Sequence, residues 1–306
     1  MSERIVVLCP GQGAQAVGMG RRWAEASPEA ARVFALGDAV LGEAVDRPLS
    51  RLCWEGPEEV LNRTDVSQPA LFVAGVASAR ALFGSGWIPA AAAGLSLGEY
   101  TALHLAGSIS FEDGLRLVAL RGRAMQEAAR ATPSGMVALI GAEEHQAREV
   151  CERAAGAEVL VAANFNAPGQ VVLSGSSGAC DRAVEAAGGM GLRASRLAVA
   201  GAFHSPLMAP AKERLAAALR ETEVKAPACP VLSNVTGRPH DADPRSIRDR
   251  LGEQLTSPVR WSDCAAWLAE RFAGLPFHET APGKVLSGLM RRISRDTKVV
   301  SHDEPG

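Results

Sequence analysis

Gly94-Leu95-Ser96-Leu97-Gly98 is the stretch best suited to chemistry. It matches G-x-S-x-G, the pattern of a nucleophile elbow, in which a strained turn between a strand and a helix lifts a serine hydroxyl into the open. Glycines flank the serine because side chains there would clash. A serine hydroxyl is a weak nucleophile and needs a base within hydrogen-bond reach. Six histidines could supply one: His104, His145, His204, His240, His278 and His302. His104 falls on the helix expected after the elbow, His145 at an exposed helix start and His302 in the tail, where each has a structural or solvated role. His204, in the loop Gly201-Ala202-Phe203-His204-Ser205-Pro206, follows the serine as a hydrolase-type base would. So does His278, and spacing alone leaves these two open.

Two further stretches could serve the same chemistry. Gly11-Gln12-Gly13-Ala14-Gln15 follows an apolar run, but Ala16 stands where a dinucleotide fingerprint needs its third glycine, and no acidic partner follows a second strand. A loop in this position can instead present a backbone N–H towards the elbow, as half of an oxyanion hole. Arg121 and Met125, four residues apart, share a helix face. Beside Arg116 and Arg123, Arg121 has the spacing of a surface arginine. It would matter to catalysis if a substrate brought a carboxylate to pair with it.

The elements that must carry these residues follow from pattern. Ile5 to Cys9 is a continuous β-prone run ending in Pro10-Gly11, as expected of a buried parallel strand. Met19 to Leu41, Gln68 to Phe83 and Phe111 to Ala131 have helical texture, and Ala90 to Gly94 is a strand running into the elbow. After Thr132-Pro133-Ser134-Gly135 the texture changes. Strands at Met136–Ile140, Glu158–Ala163, Gln170–Ser174 and near Leu197-Ala198-Val199, with helices at Glu143–Ala155 and Cys180–Ala187, give the split βαβ pattern of a small ferredoxin-like domain. From Phe203 the chain returns to long helices and buried strands such as Val231-Leu232-Ser233. The expected fold is therefore α/β: a large α/β-hydrolase-like domain with a mostly parallel sheet (residues 1–131 and 202–306), carrying an inserted ferredoxin-like α+β domain (132–201). The polar tail, Ser301 to Gly306, is expected to fray.

With 306 residues, 47% of them hydrophobic, the chain can bury a substantial core. Lys and Arg total 32 against 34 Asp and Glu, a balance that argues against a nucleic-acid partner. Cys9, Cys53, Cys151, Cys180, Cys229 and Cys264 are scattered, with no metal-ligand spacing, as reduced cysteines of a cytoplasmic protein would be. The apolar run near the N-terminus is too short for a secretory signal. Ala90 to Leu97 is read as coming closest to an apolar run that could span a bilayer and is interrupted by glycine, so no membrane span is expected.

Taken together, the segments resemble the malonyl-CoA:acyl carrier protein transacylases of fatty-acid and polyketide synthesis. The resemblance is carried, in order, by Pro10–Gln15, Ser67-Gln68-Pro69-Ala70-Leu71, Gly94–Tyr100, Arg121-Gly122-Arg123-Ala124-Met125, Asn166-Ala167-Pro168-Gly169-Gln170, Gly201–Pro206 and Gln254-Leu255-Thr256-Ser257-Pro258-Val259. It implies that Ser96 is the nucleophile and His204 its base, in a dyad whose histidine is oriented by the backbone carbonyl of Gln254. It implies an oxyanion hole from the backbone N–H groups of Gln12 and Leu97. Arg121 becomes the clamp for a malonyl carboxylate, with Met125 and Phe203 in the substrate site, and Phe203 looks like the version that crowds out an α-methyl branch. Malonyl-CoA and an acyl carrier protein are the implied partners, the family is commonly monomeric, and no cofactor or metal is implied, since the CoA thioester is the substrate. Arg193, Arg196 and Lys225 could meet an acidic carrier, although a solvated charge face is the preferred reading of each. Leu95 and Ala281-Pro282-Gly283 depart from the commoner histidine and Gly-Pro-Gly. The same elbow could serve a serine thioesterase or acyl hydrolase, or survive as a non-catalytic scaffold.

Overall fold

Val6-Val7-Leu8-Cys9 has no polar residue on either face, so both faces must be covered, and all four residues are buried. The structure, a computed structural model, describes residues 4–42 and 47–306; residues 1–3 and 43–46, inside the expected large domain, lie outside the described residues. The described strands are β1 (Val6–Cys9), β2 (Ala91–Gly94), β3 (Ser134–Ile140), β4 (Leu160–Ala167), β5 (Gln170–Ser176), β6 (Arg193–Arg196), β7 (Leu232–Ser233), β8 (Arg238–Pro239), β9 (Phe277–Glu279) and β10 (Val299–Ser301).

The order β10-β9-β1-β2 forms a sheet in which every pairing is parallel, continued past β2 by a parallel bridge from Ala92 to Val231. Side chains alternate across it. Val7, Cys9 and Ala92 enter a core with the helices Pro28–Leu41, Thr64–Phe83 and Phe111–Ala131. Val6, Leu8, Ala91 and Ala93 enter a second core with Trp261, Leu268, Leu286 and Met290. The first strand is thus central, and the loops that leave β1 and β2 at their carboxyl ends lie side by side.

Residues 134–196 form a second sheet, ordered β4-β5-β3-β6 and antiparallel throughout. The helices Glu144–Ala155 and Ser177–Gly189 pack on it over a core of their own, including Leu139, Val150, Leu160 and Leu173. Two backbone hydrogen bonds join this unit to the large sheet's side: Phe165 N–H to Val259 O at 2.9 Å and Val259 N–H to Ala163 O at 2.8 Å.

Several sequence expectations need correction. The stretch from Met19 to Leu41 is two helices, because Ser27 caps a new one, its side chain accepting from Ala30 N–H, with Pro28 at the first helical position. The helix expected from Gln68 to Phe83 begins at Thr64, after two short helices at Leu49–Glu55 and Glu58–Leu61, and carries Pro69 in its interior. It is this helix, not Ala90–Leu97, that has the length and mean hydropathy (1.3) of a membrane span, and 78% of that window is buried within the protein. The last strand of the small sheet is the polar, largely exposed Arg193–Arg196, which pairs with β3, while Leu197, Ala198 and Val199 lie beyond it along a cleft. The tail does not fray. Ser301 ends β10, Trp23 Nε1 donates to His302 O at 3.3 Å and Asp303 O at 3.2 Å, and Asp303 Oδ1 accepts from Gly283 N–H at 2.7 Å.

Candidate active site

The turn from β2 into the helix Gly98–Leu105 holds Ser96 at φ 51, a left-handed conformation that side chains rarely adopt. Its neighbours leave no choice of residue. A Cβ on Gly94 would lie 1.8 Å from Gly98 C, and one on Gly98 would lie 2.1 Å from Cys9 O, so elbow and first strand touch backbone to backbone. The strained turn is pinned from behind by Asn234, which follows β7. Ser96 N–H donates to Asn234 Oδ1 at 2.6 Å, and Asn234 Nδ2 donates to Gly94 O at 2.8 Å.

His204 stands opposite at φ 58; it and Ser96 are the non-glycine residues with positive φ among the described residues. Such strain persists where the surroundings enforce it, and it clusters at functional sites. His204 Nε2 is 2.9 Å from Ser96 Oγ, and Nδ1 is 2.8 Å from Gln254 O. A carbonyl can only accept, so Nδ1 carries the proton and Nε2 is left to accept from the serine. Burial, seconded by the charge of Arg121 and opposed by the bond to Gln254 O, lowers the His204 pKa from 6.5 to about 4. The imidazole is therefore neutral at pH 7 and ready to take a proton. His278, left open by spacing, is on β9 and bonded to His302 at 2.7 Å.

Arg121 is 1% exposed, which overturns its reading as a surface residue. From the helix Phe111–Ala131 its Nη1 donates to Gln68 Oε1 at 2.7 Å, and Nη2 donates to Gln254 Oε1 and to Ser96 Oγ, both at 2.9 Å. Its Cζ stands 5.7 Å over the Tyr100 ring. Among the described residues Nε has no partner and Arg121 pairs with no carboxylate. A buried guanidinium held by neutral groups leaves unspent attraction for an anion beside the serine.

A cleft of about 350 Å³ opens over Ser96 and His204, lined among others by Gln12, Met125, Asn164, Phe203 and Leu197. Leu95 lines it as well. The Gln12 loop is seated against the elbow: a Cβ on Gly11 would lie 2.2 Å from Leu95 O, and Gln12 Nε2 bonds Thr64 Oγ1 at 3.2 Å. Neither Gln12 N–H nor Leu97 N–H donates to another backbone carbonyl among the described residues, and Leu97 precedes the first turn of the helix Gly98–Leu105. Helix N-termini of this kind favour negative charge.

Sequence reasoning passed over Asn234 and quoted Gln68 and Glu99 only as parts of motifs. An asparagine directly after a buried strand, at the same edge of the sheet as the elbow, was the available clue for Asn234. Arg193, Arg196 and Lys225 are exposed, and two of them are paired locally: Arg196 with Asp181 at 3.4 Å and Lys225 with Glu223 at 3.4 Å.

Residues 6–293 match the acyl transferase domain family. The chain belongs to that family. Among acyl transferases of this kind, a malonyl CoA-acyl carrier protein transacylase of Salmonella typhimurium is 41% identical over 299 residues, covering 97% of this chain and 94% of its own. The crystal structure of the malonyl-CoA:acyl carrier protein transacylase of Xanthomonas oryzae superposes with a TM-score of 0.93 at 43% identity, over 100% of this chain and 96% of its own. A third acyl transferase, a malonyl-transacylase solved with a type II polyketide synthase acyl-carrier protein, gives 0.93 at 38% identity, over 99% of this chain and 97% of its own.

Proposed function

We propose that the protein transfers a malonyl group from malonyl-CoA to the phosphopantetheine thiol of an acyl carrier protein, through a malonyl ester on Ser96. The observation that carries this reading is Arg121, a buried guanidinium with no carboxylate partner among the described residues, 2.9 Å from the Ser96 hydroxyl. A malonyl group brings both a thioester for the serine and a carboxylate for the arginine.

Ser96 Oγ attacks the thioester carbonyl carbon while its proton passes to His204 Nε2. The tetrahedral oxyanion rests on the N–H groups of Gln12 and Leu97. The C–S bond breaks, the proton on His204 goes to the departing CoA sulfur, and the ester remains. The carrier thiol then gives its proton to His204 and attacks the ester carbon, and the serine recovers its proton as the new thioester leaves. Gln254 O keeps the imidazole in the required tautomer throughout. Met125 and Phe203 line the acyl site. No cofactor takes part in these steps.

The architecture reads as an α/β-hydrolase-like domain, residues 1–131 and 202–306, with a ferredoxin-like domain, 132–201, inserted in it. Support comes from the all-parallel first sheet, the β4-β5-β3-β6 order of the second and their separate cores. The protein is read as a cytoplasmic monomer, in keeping with its six free cysteines and a cleft complete within one chain.

Radiolabelled malonyl-CoA with a holo carrier protein tests the function. Label on Ser96 that chases to carrier is expected; rapid release of free malonate without transfer would make the protein a hydrolase. Transfer undiminished in Ser96→Ala would exclude the serine ester.

A further inference from the structure

Behind the elbow lies a buried ionisable pair that no step above uses. The Glu99 and His240 side chains are 0% and 1% exposed, with His240 Nε2 2.8 Å from Glu99 Oε1. The other carboxylate oxygen, Oε2, accepts from Asn234 N–H at 2.9 Å and from Gln254 Nε2 at 2.7 Å. His240 Nδ1 has no partner among the described residues. A carboxylate can only accept, so the histidine carries its proton on Nε2 and gives Glu99 its third donor.

Both residues that share Glu99 Oε2 lead to the reacting groups. Gln254 takes the His204 Nδ1–H on its backbone carbonyl at 2.8 Å, and its Nε2 also donates to Ser96 O at 3.0 Å. Asn234 takes the Ser96 N–H on its side chain at 2.6 Å. One carboxylate therefore ties together the holders of base and nucleophile. Without His240, Glu99 Oε1 would be left buried and unpaired, and the carboxylate would turn towards its remaining donors. That turn pulls on Gln254 and Asn234 together.

We infer that His240, acting through Glu99, is a positioning residue that sets the distance between Ser96 and His204. The assay with malonyl-CoA rests on the proposed function; the geometry does not. The competing role is that of a simple staple between the helix Gly98–Leu105 and the β7–β8 hairpin.

The test compares His240→Leu with His240→Gln, whose amide can still donate to Glu99. Three quantities are measured: the thermal unfolding midpoint, the rate constant for Ser96 phosphonylation by a fluorophosphonate per titrated active site, and kcat and KM for malonyl-CoA. His240→Leu is expected to slow phosphonylation and kcat by about tenfold or more, since small misplacements of reacting groups are costly. KM should stay within about twofold. His240→Gln should recover most of both rates even if it unfolds as early as His240→Leu. Loss confined to stability or to the fraction of active sites, with wild-type rate constants per site, would overturn the inference. If phosphonylation depends on His240 but the wild-type protein transfers no malonyl group, the positioning role stands and the substrate assignment fails. If malonyl transfer is intact and His240→Leu is unimpaired per site, the assignment stands and the positioning role fails.

Discussion

Arg121 Nη2 lies 2.9 Å from Ser96 Oγ, so the cation that would hold the substrate already touches the atom that would attack it. The contact has two consequences, one for selectivity and one for the base.

Selectivity should reside in the guanidinium. A charge-assisted pair with a carboxylate in a buried site contributes about 1.5–3 kcal/mol, roughly 10- to 100-fold in rate. Arg121→Ala is expected to lose malonyl transfer by at least that factor while acetyl transfer changes far less. Equal losses for the two acyl-CoA substrates would refute the clamp. Arg121→Lys should restore little, because an ammonium cannot form the two-pronged contact.

The same charge helps to keep His204 neutral. With its pKa lowered to about 4, the base stays unprotonated, and kcat/KM should be flat from neutral pH down to about pH 5 before falling. Removing the cation removes one of the causes of that lowering. In Arg121→Ala, measured with acetyl-CoA so that no substrate carboxylate intervenes, the acid limb should move to higher pH. An unmoved limb would mean that burial alone sets the value.

Folding stability should show the matching dependence. His104 and His204 are both held at about 4 in the folded protein, chiefly by burial, against 6.5 for the free side chain. Between those values the unfolded chain binds protons that the folded one does not. Stability therefore rises with pH across that window and is lost as pH falls from about 6.5 towards 4, by up to about 1.4 kcal/mol per pH unit for each histidine. Urea unfolding at a series of pH values should show this slope, and His204→Gln should make it shallower.

Phe203, 6% exposed beside His204, lines the cleft. A pocket discriminates one methyl group by about 10- to 200-fold. Phe203→Ser should reduce the preference for malonyl-CoA over methylmalonyl-CoA by about tenfold, seen in the ratio of kcat/KM values. An unchanged ratio would place the steric limit elsewhere.

Local patterns read well in this chain because they are local. Val6–Cys9 is apolar throughout, so it could only be a covered strand, and the glycines around Ser96 announce a turn that other residues cannot make. The strand-helix-strand-strand-helix order of residues 134–189 is likewise written in alternating short runs, whereas the polar last strand, Arg193–Arg196, is not. Burial of a single polar residue is not local, and there the sequence misleads. Arg121 has the neighbours of a surface arginine, and only its packing among Gln68, Tyr100 and Gln254 shows where it points. His204 and His278 could not be separated by spacing, because their difference lies in what each one reaches across the fold, Ser96 for His204 and His302 for His278. Asn234 and Gln254 owe their places to contacts more than a hundred residues away in sequence. The polar tail illustrates the opposite error: its composition suggests fraying, yet it is held by Trp23.

The two hydrogen bonds between Val259 and the strand β4 bear on how such proteins could be recombined. Val259 lies five residues beyond Gln254, and β4 carries Asn164 to the cleft, so this seam couples the wall of the cleft to the support of His204. A chimera that exchanges residues 132–201 for the equivalent segment of a relative would import a foreign half of that seam. Grafts should therefore carry Thr256–Val259 along with the insert, so that the donor brings both halves of the seam and the recipient keeps Ser96 and His204 in register.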